Sequence, residues 1–212
     1  MKMGNAIRGK RRERCPHTSA IQNNIKEDYE QNLNENLEDV VEGLKRKAYK
    51  PQPAKVVEIS KEDGKTRPIS IYCYEDKLVQ EELRRILEVV FEPRFYDEMM
   101  GFRPNCGCHK ALKKLIIMIE CEKTNYILGT DIKNFFGTIN HEWVIKFIAS
   151  KISDPNIIRL VRRILKLGVL ENEQYIPTDE GGGQGSCCSP VIANIYMSTK
   201  PIISILYLCV IV

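Results

Sequence analysis

One β-hairpin constrains this chain more than any other feature of its sequence. Apolar residues alternate with polar ones at Val57 and Ile59, and again at Ile69 and Ile71, on either side of the dipeptide Asp63-Gly64. Such alternation is typical of strands with one buried face, and Asp-Gly is a preferred turn between antiparallel strands. The chain is therefore expected to contain a sheet, against which its helices must pack.

Helical patterns flank this hairpin on both sides. Apolar residues recur every three or four positions from Ile21 onward, which predicts an amphipathic helix that ends near Tyr49, before Pro51. Further helices are predicted at residues 75–91, 109–120, 141–151, 155–166 and 189–197, and a short strand at 126–130. Helices and strands interleave without a regular β-α-β period, which favours an α+β fold.

Composition sets broad limits. A chain of 212 residues with 43% hydrophobic content can bury a core, and its net charge of +4 permits a nucleic-acid partner without requiring one. Eight cysteines follow no secretory signal, which indicates reduced thiols and a cytoplasmic protein. The apolar run at 202–212 is much shorter than the roughly 20 residues that span a bilayer, so no membrane association is expected.

The predicted hairpin carries three cations close to its turn. Lys61, Lys65 and Arg67 would project from a light ribbon toward an anionic ligand such as a triphosphate. Exposed hairpins also carry lysines to discourage edge pairing, so a solvated charged hairpin is the alternative.

A single carboxylate follows the predicted strand at 126–130. Asp131 would stand where a hard cation such as Mg²⁺ could bind between protein and phosphate oxygens, although an aspartate there is often only a turn residue. Phe135 and Phe136 come soon after it. Either ring could pack in the core, and beside a nucleotide one of them could exclude a ribose 2′-hydroxyl by bulk.

A glycine cluster at 181–185 interrupts the chain before the last predicted helix. Missing side chains let a backbone approach a substrate closely, and Gln184 offers both a donor and an acceptor; a flexible turn is the alternative. Cys106, Cys108 and His109 lack a second ligand pair at zinc-like spacing, so a metal site is not expected there. Cys187 and Cys188 are interpreted as small core side chains.

Five segments in order carry a resemblance to a known family: ISKEDGKTRPISI, LVQEEL, FEPRFYDEMMGFRP, DIKNFFGTINHEW and GGGQGSCCSPVIANIYM. Together they resemble the reverse transcriptases of group II introns and their retron-type relatives, from about Tyr49 to Met197. The resemblance implies the fingers and an incomplete palm of a right-hand polymerase. Its expected divisions are a basic arm at 1–20, an N-terminal helix and fingers at 21–125, a partial palm at 126–197, and an apolar tail at 198–212 that departs from the family.

The resemblance also implies a nucleotide site. Lys61 and Arg67 match the fingers residues that hold the triphosphate of an incoming deoxynucleotide. Phe136 matches the bulky residue that selects deoxyribonucleotides, and Gln184 matches the glutamine of the loop that lines the nucleotide pocket.

The same resemblance implies a metal site. Asp131 matches the first metal-binding aspartate of the palm, and Ile132 would add its backbone carbonyl toward Mg²⁺. The complete family uses two metals, and its Tyr-x-Asp-Asp box, which supplies the other carboxylates, is absent from these 212 residues. We therefore expect this chain alone to be catalytically incomplete.

RNA template or intron RNA and a DNA primer are the expected macromolecular partners. Template or RNA contacts are assigned to Arg103, in a template-side loop, to Lys65, and to Arg11 and Arg12 in the basic arm. Oligomeric state is left open.

Two alternatives remain: a non-catalytic, maturase-like RNA-binding fragment, or a non-functional remnant. Gly137 and Gly183 depart from the family, which often has Asp and Pro at these positions.

Overall fold

The structure is a computed structural model that describes residues 29–60, 64, 66–121, 126, 129, 131–171, 174–177, 180–181 and 185–199. The helices are α1 (Leu33–Lys45), α2 (Tyr74–Phe91), α3 (Cys108–Cys121), α4 (His141–Ala149), α5 (Pro155–Leu165) and α6 (Ser189–Thr199). The strands are β1 (Ala54–Ser60), β2 (Thr66–Ile71), β3 (Val169–Glu171) and β4 (Gln174–Ile176). Helices and a small sheet share the chain, which confirms the α+β prediction.

The predicted hairpin is present. Strands β1 and β2 pair antiparallel from Lys55 opposite Ile71 to Ser60 opposite Thr66. In the connection between them, Gly64 has a φ of +77°, a conformation that favours glycine and so fits the predicted turn.

Two further strands complete a sheet in the order β2-β1-β3-β4. Strand β3 runs parallel to β1, with Ala54 opposite Val169, and β4 returns antiparallel to β3. A Cβ on Gly168 would lie 2.3 Å from the Ile176 carbonyl oxygen, so glycine allows the two strands to approach here. Neither β3 nor β4 was predicted from the sequence.

The helices predicted at 75–91, 109–120, 141–151, 155–166 and 189–197 are confirmed with small shifts at their ends. Of the helix predicted from Ile21 onward, the residues before 29 lie outside the described part of the chain, and α1 begins at Leu33. Helix α1 ends at Lys45, four residues before the predicted end, because Lys47 adopts the left-handed conformation with a φ of +61°. The Lys47 N–H then donates to the Leu44 carbonyl and the Ala48 N–H to the Gly43 carbonyl, which closes the helix in a Schellman arrangement. Helix α5 begins as predicted: the Asp154 carboxylate accepts the Asn156 N–H, and Pro155 occupies the first turn.

Four helices enclose the core. Helices α2, α4, α5 and α6 contribute side chains with no exposed surface, namely Leu87, Val144, Ile148, Val161 and Ile195. Helix α3 differs, because it contributes no buried residue. Within the described ranges, no helix combines the length and the apolarity needed to cross a bilayer.

Candidate nucleotide and nucleic-acid site

Asp131 stands at the head of an exposed loop that leads into a tight turn. Asp131 is exposed, and 42% of Ile132 is accessible to solvent. Asn134 follows in the left-handed conformation, and residues Phe135–Gly137 form a short 3-10 turn closed by the Thr138 N–H. Of the predicted strand at 126–130, only Tyr126 and Gly129 lie in the described part of the chain, and neither has regular secondary structure.

The two phenylalanines join this turn to the core. Phe135 meets Phe136 edge to face with ring centroids 5.5 Å apart, and it meets Tyr196 of α6 at 6.3 Å. Both rings are partly buried against the main core cluster. The turn that follows Asp131 is therefore held in place by aromatic packing.

The first end of the glycine cluster is fastened to the same turn. Gly181 has a φ of +83°, and a Cβ there would lie 2.8 Å from the Phe136 carbonyl oxygen. Its N–H donates to the Ile139 carbonyl at 2.7 Å, and its own carbonyl meets Nε2 of the buried His141. The backbone at Gly181 thus lies directly on the Phe136 segment, and a side chain at Gly181 would separate them.

The other end of the cluster is fastened to the hairpin. Gly185 has a φ of +112°, and a Cβ on it would lie 2.5 Å from the Ser70 carbonyl oxygen of β2. Three segments singled out from the sequence therefore meet: the hairpin, the turn after Asp131 and the glycine cluster.

Gln80 was missed by sequence reasoning, yet it holds the segment that follows the glycines. Its Oε1 accepts hydrogen bonds from Ser186 Oγ at 2.9 Å and from the Cys187 N–H at 3.2 Å. Its backbone carbonyl accepts one from Cys188 Sγ at 2.9 Å. Gln80 is 1% exposed, and its Nε2 meets no acceptor among the described residues. The signal available in the sequence was a polar residue next to Val79 on the buried face of α2.

Burial raises the pKa of two groups next to Gln80, the Cys188 thiol and the Tyr72 hydroxyl. This predicts that the protein loses stability at alkaline pH. Burial raises the pKa of the Cys188 thiol from 9.0 to about 12, and it raises the pKa of Tyr72 from 10.0 to about 12. Above pH 9 for Cys188, and above pH 10 for Tyr72, the folded chain therefore keeps a proton that the unfolded chain has lost. The free energy of unfolding should then fall with rising pH, by about 1.4 kcal/mol per pH unit for each group.

Urea unfolding between about pH 8 and pH 11 measures this decline. In Cys188→Ala the first part of the decline, which starts near the ordinary thiol pKa of 9.0, should disappear, and the part due to Tyr72 should remain. Identical pH profiles for the two proteins would contradict the assignment to the Cys188 thiol.

Arg103 is turned into the protein. It forms an ion pair with Glu92 at 2.9 Å and donates to the carbonyls of Tyr96 and Met99 at 2.6 and 3.0 Å. The guanidinium also lies 5.5 Å from the ring centroid of Phe95. These contacts organise the loop from Phe95 to Arg103, and the template-side role of this loop stays a prediction.

Metal-binding capacity at Asp131 is partial. A carboxylate oxygen is the donor that Mg²⁺ prefers, so its chemistry fits. However, no group of three His, Cys, Asp or Glu residues that could hold a metal occurs in the described part of the chain. One exposed carboxylate does not make a site for two ions.

Several predicted site residues lie outside the described residues, namely Arg11, Arg12, Lys61, Lys65 and Gln184, together with the whole basic arm and most of the apolar tail. Arg67 lies on β2, and only its backbone is described. The six cysteines that the structure describes are free thiols; Cys188 is buried as predicted, and Cys187 is half-buried.

Comparison with known proteins identifies the family to which this chain belongs. The family model for reverse transcriptase (RNA-dependent DNA polymerase) matches residues 59–203. The group II intron-encoded protein LtrA of Lactococcus lactis subsp. cremoris is 41% identical over 164 residues, which cover 77% of this chain and 27% of that protein.

Two fungal intron proteins are also similar. An uncharacterized 91 kDa protein in the cob intron of Schizosaccharomyces pombe is 37% identical over 161 residues, 76% of this chain and 20% of that protein. A putative COX1/OXI3 intron 1 protein of Saccharomyces cerevisiae is 34% identical over 151 residues, 71% of this chain and 18% of that protein. The chain thus spans between 18% and 27% of the length of these relatives.

Proposed function

Because the chain belongs to the reverse transcriptase (RNA-dependent DNA polymerase) family, of the group II intron type, we propose that it supplies the fingers and the first part of the palm of an RNA-directed DNA polymerase. Residues 21–125 would form the N-terminal helix and fingers, and residues 126–197 the partial palm. The observation that carries this proposal is the junction at the glycine cluster, where β2 meets Gly185 and the Phe136 segment meets Gly181.

This junction supports a deoxynucleotide site. Gln184 directly precedes Gly185, and Gly185 contacts Ser70, which lies three residues from Arg67 along β2, about 10 Å. Lys61 and Arg67 would hold the triphosphate, Phe136 would exclude a 2′-hydroxyl, and Gln184 would line the pocket. The fingers cations and the ribose-selecting ring would thus face one nucleotide from two sides.

Asp131 would contribute one carboxylate, and Ile132 one carbonyl, toward a magnesium ion. When bound, such an ion supplies charge stabilisation for phosphoryl transfer. The remaining carboxylates of the family's Tyr-x-Asp-Asp box are not in these 212 residues. We therefore expect the chain alone to bind its partners without extending a primer.

A maturase-like RNA-binding fragment is the second candidate. Binding to RNA by shape and phosphate contacts does not require metal ligands, so these 212 residues could provide it by themselves. Both candidates predict affinity for RNA and no primer extension by this chain alone, and they differ in whether the chain also binds a deoxynucleotide.

Primer extension on an RNA template with Mg²⁺ and deoxynucleotides, run beside an RNA-binding titration at several salt concentrations, tests the proposal. We expect binding that weakens as salt rises, with no extension. Asp131→Asn should bind RNA like the wild type, and Asp39→Asn, an exposed change on α1, is its matched control.

Each other outcome has a distinct meaning. Extension that disappears in Asp131→Asn but persists in Asp39→Asn would support the polymerase assignment and overturn the incomplete metal site. Absence of both binding and extension from a folded sample would contradict the proposed function, and a sample that does not fold would favour the remnant.

A further inference from the structure

A basic groove runs between the end of α1 and the outer face of α5. Its cations are Lys47, Lys50, Arg159, Arg162, Arg163 and Lys166. The part beside Lys50 and Lys166 has a volume of about 480 Å³. None of these six residues was singled out from the sequence as a site.

Helix α5 presents its cations as a single row. Arg159, Arg162, Arg163 and Lys166 follow each other at helical spacing, while Val161, Ile164 and Leu165 point into the core. Seven residues of helix rise about 10 Å, so the row is about 10 Å long. Over that length a nucleic-acid duplex presents about six phosphates.

The groove is not neutralised by the protein itself. Elsewhere in the described residues, cations such as Arg84, Arg85 and Lys114 have carboxylate partners within 3.2 Å. None of the groove cations forms an ion pair with another described residue, and none of the described residues that line the groove is acidic. Clustered like charges repel each other, so an anionic partner would stabilise this arrangement.

Arg163 holds the two walls together. Its Nη1 donates to the carbonyls of Lys47 and Tyr49, and these hydrogen bonds join the end of α1 to α5. This contact brings Lys47 and Lys50 beside the row on α5. The groove is therefore formed by the fold and does not arise from helix α5 alone.

We propose that the basic groove binds the sugar-phosphate backbone of RNA. This inference rests on the proposed function, to which it adds a second RNA-contacting surface built from residues other than the hairpin cations and the basic arm. Arginine's planar donor fork matches phosphate oxygens, and three arginines line the groove. A concave surface lined with cations fits a rod-shaped polyanion better than the flat face of a bilayer.

The test uses the whole chain and a fluorescein-labelled RNA hairpin of two helical turns, titrated between about 50 and 200 mM KCl. Arg162→Gln/Lys166→Gln removes two exposed cations on the row. We expect affinity to fall about tenfold at the lower salt concentration, and the slope of log affinity against log salt to decrease by about two.

Three single substitutions separate the effect of position from the effect of charge. Arg162→Gln should weaken binding several-fold, whereas Arg85→Gln, which removes the same charge from an exposed arginine paired with Glu81 and Glu82, should not. Arg162→Lys keeps the charge and should retain the salt slope while losing part of the affinity.

Wild-type affinity and slope in Arg162→Gln/Lys166→Gln would overturn the groove proposal and leave the proposed function standing. If the wild type itself binds no RNA at any salt concentration, the proposed function fails first. Groove-dependent binding to vesicles of phosphatidylserine and phosphatidylcholine, without binding to RNA, would replace the inference with a membrane surface.

Discussion

Replacing Gln80 with leucine is expected to lower the free energy of unfolding by about 2 to 4 kcal/mol, although the two side chains have similar size. Gln80 Oε1 is the acceptor for both Ser186 Oγ and the Cys187 N–H. Leucine would leave these donors without that acceptor in a largely buried position, and each unpaired buried donor costs about 1 to 3 kcal/mol. Urea unfolding of the wild type and Gln80→Leu measures the difference.

A double-mutant cycle with Ser186→Ala separates the hydrogen bond from other effects of the leucine. Ser186→Ala removes one of the two donors, so its cost should be smaller than that of Gln80→Leu. The two changes should show a coupling energy of about 1 kcal/mol, because they remove the same bond. Full additivity, or a Gln80→Leu protein as stable as the wild type, would show that Gln80 does not anchor the segment after the glycines.

Gly185→Ala is expected to cost about 2 to 4 kcal/mol and to separate the glycine cluster from the hairpin. The φ of +112° is one that alanine rarely adopts, and the added Cβ would lie 2.5 Å from the Ser70 carbonyl oxygen. That oxygen belongs to the backbone of β2, so it cannot move aside as a flexible side chain would. In the proposed function, this variant should also weaken deoxynucleotide binding, because Gln184 would be displaced with Gly185.

Two other glycines divide this effect into its parts. Gly64 also has a positive φ, +77°, but no atom lies within 4 Å of a Cβ placed there, so Gly64→Ala should show only the backbone strain, about 1 kcal/mol. Gly107 has neither a positive φ nor a close neighbour, so Gly107→Ala should be nearly neutral. If Gly185→Ala lowers the free energy of unfolding no more than Gly64→Ala does, the close contact with Ser70 does not contribute to the loss of stability.

The features predicted correctly from the sequence all have local causes. The hairpin follows from alternation around Asp63-Gly64, and α5 follows from an amphipathic pattern behind Asp154 and Pro155, whose roles the structure confirms. Such signals depend on residues a few positions apart, so they can be recognised without knowledge of the fold.

The elements that were missed depend on distant partners. Strand β3 has three residues and depends on its pairing with β1 and β4, which no local pattern indicates. The end of α1 was placed too late because Lys47, and not glycine or asparagine, takes the left-handed position. The Lys47 N–H donates to the Leu44 carbonyl and the Ala48 and Tyr49 N–H groups donate to the Gly43 carbonyl, and these bonds stabilise that conformation together with the burial of Tyr49.

The candidate site shows the same division. The sequence indicated Asp131, Phe136 and the glycine cluster, but it did not show that Gly181 and Gly185 fasten that cluster at both ends. The groove cations were overlooked because Arg159 and Arg162 look like the ordinary solvated face of an amphipathic helix. Only the fold brings Lys47 and Lys50 beside them.

The parallel pairing of Ala54 with Val169 also affects how the chain folds during its synthesis. A ribosome releases β1 and β2 well before β3, so the edge of β1 at Ala54 and Lys55 stays unpaired while α2, α3, α4 and α5 emerge. Unpaired edges are where chains associate wrongly, and pairings between distant segments form slowly. Translation pauses or chaperones that cover this interval should therefore raise the yield of folded protein.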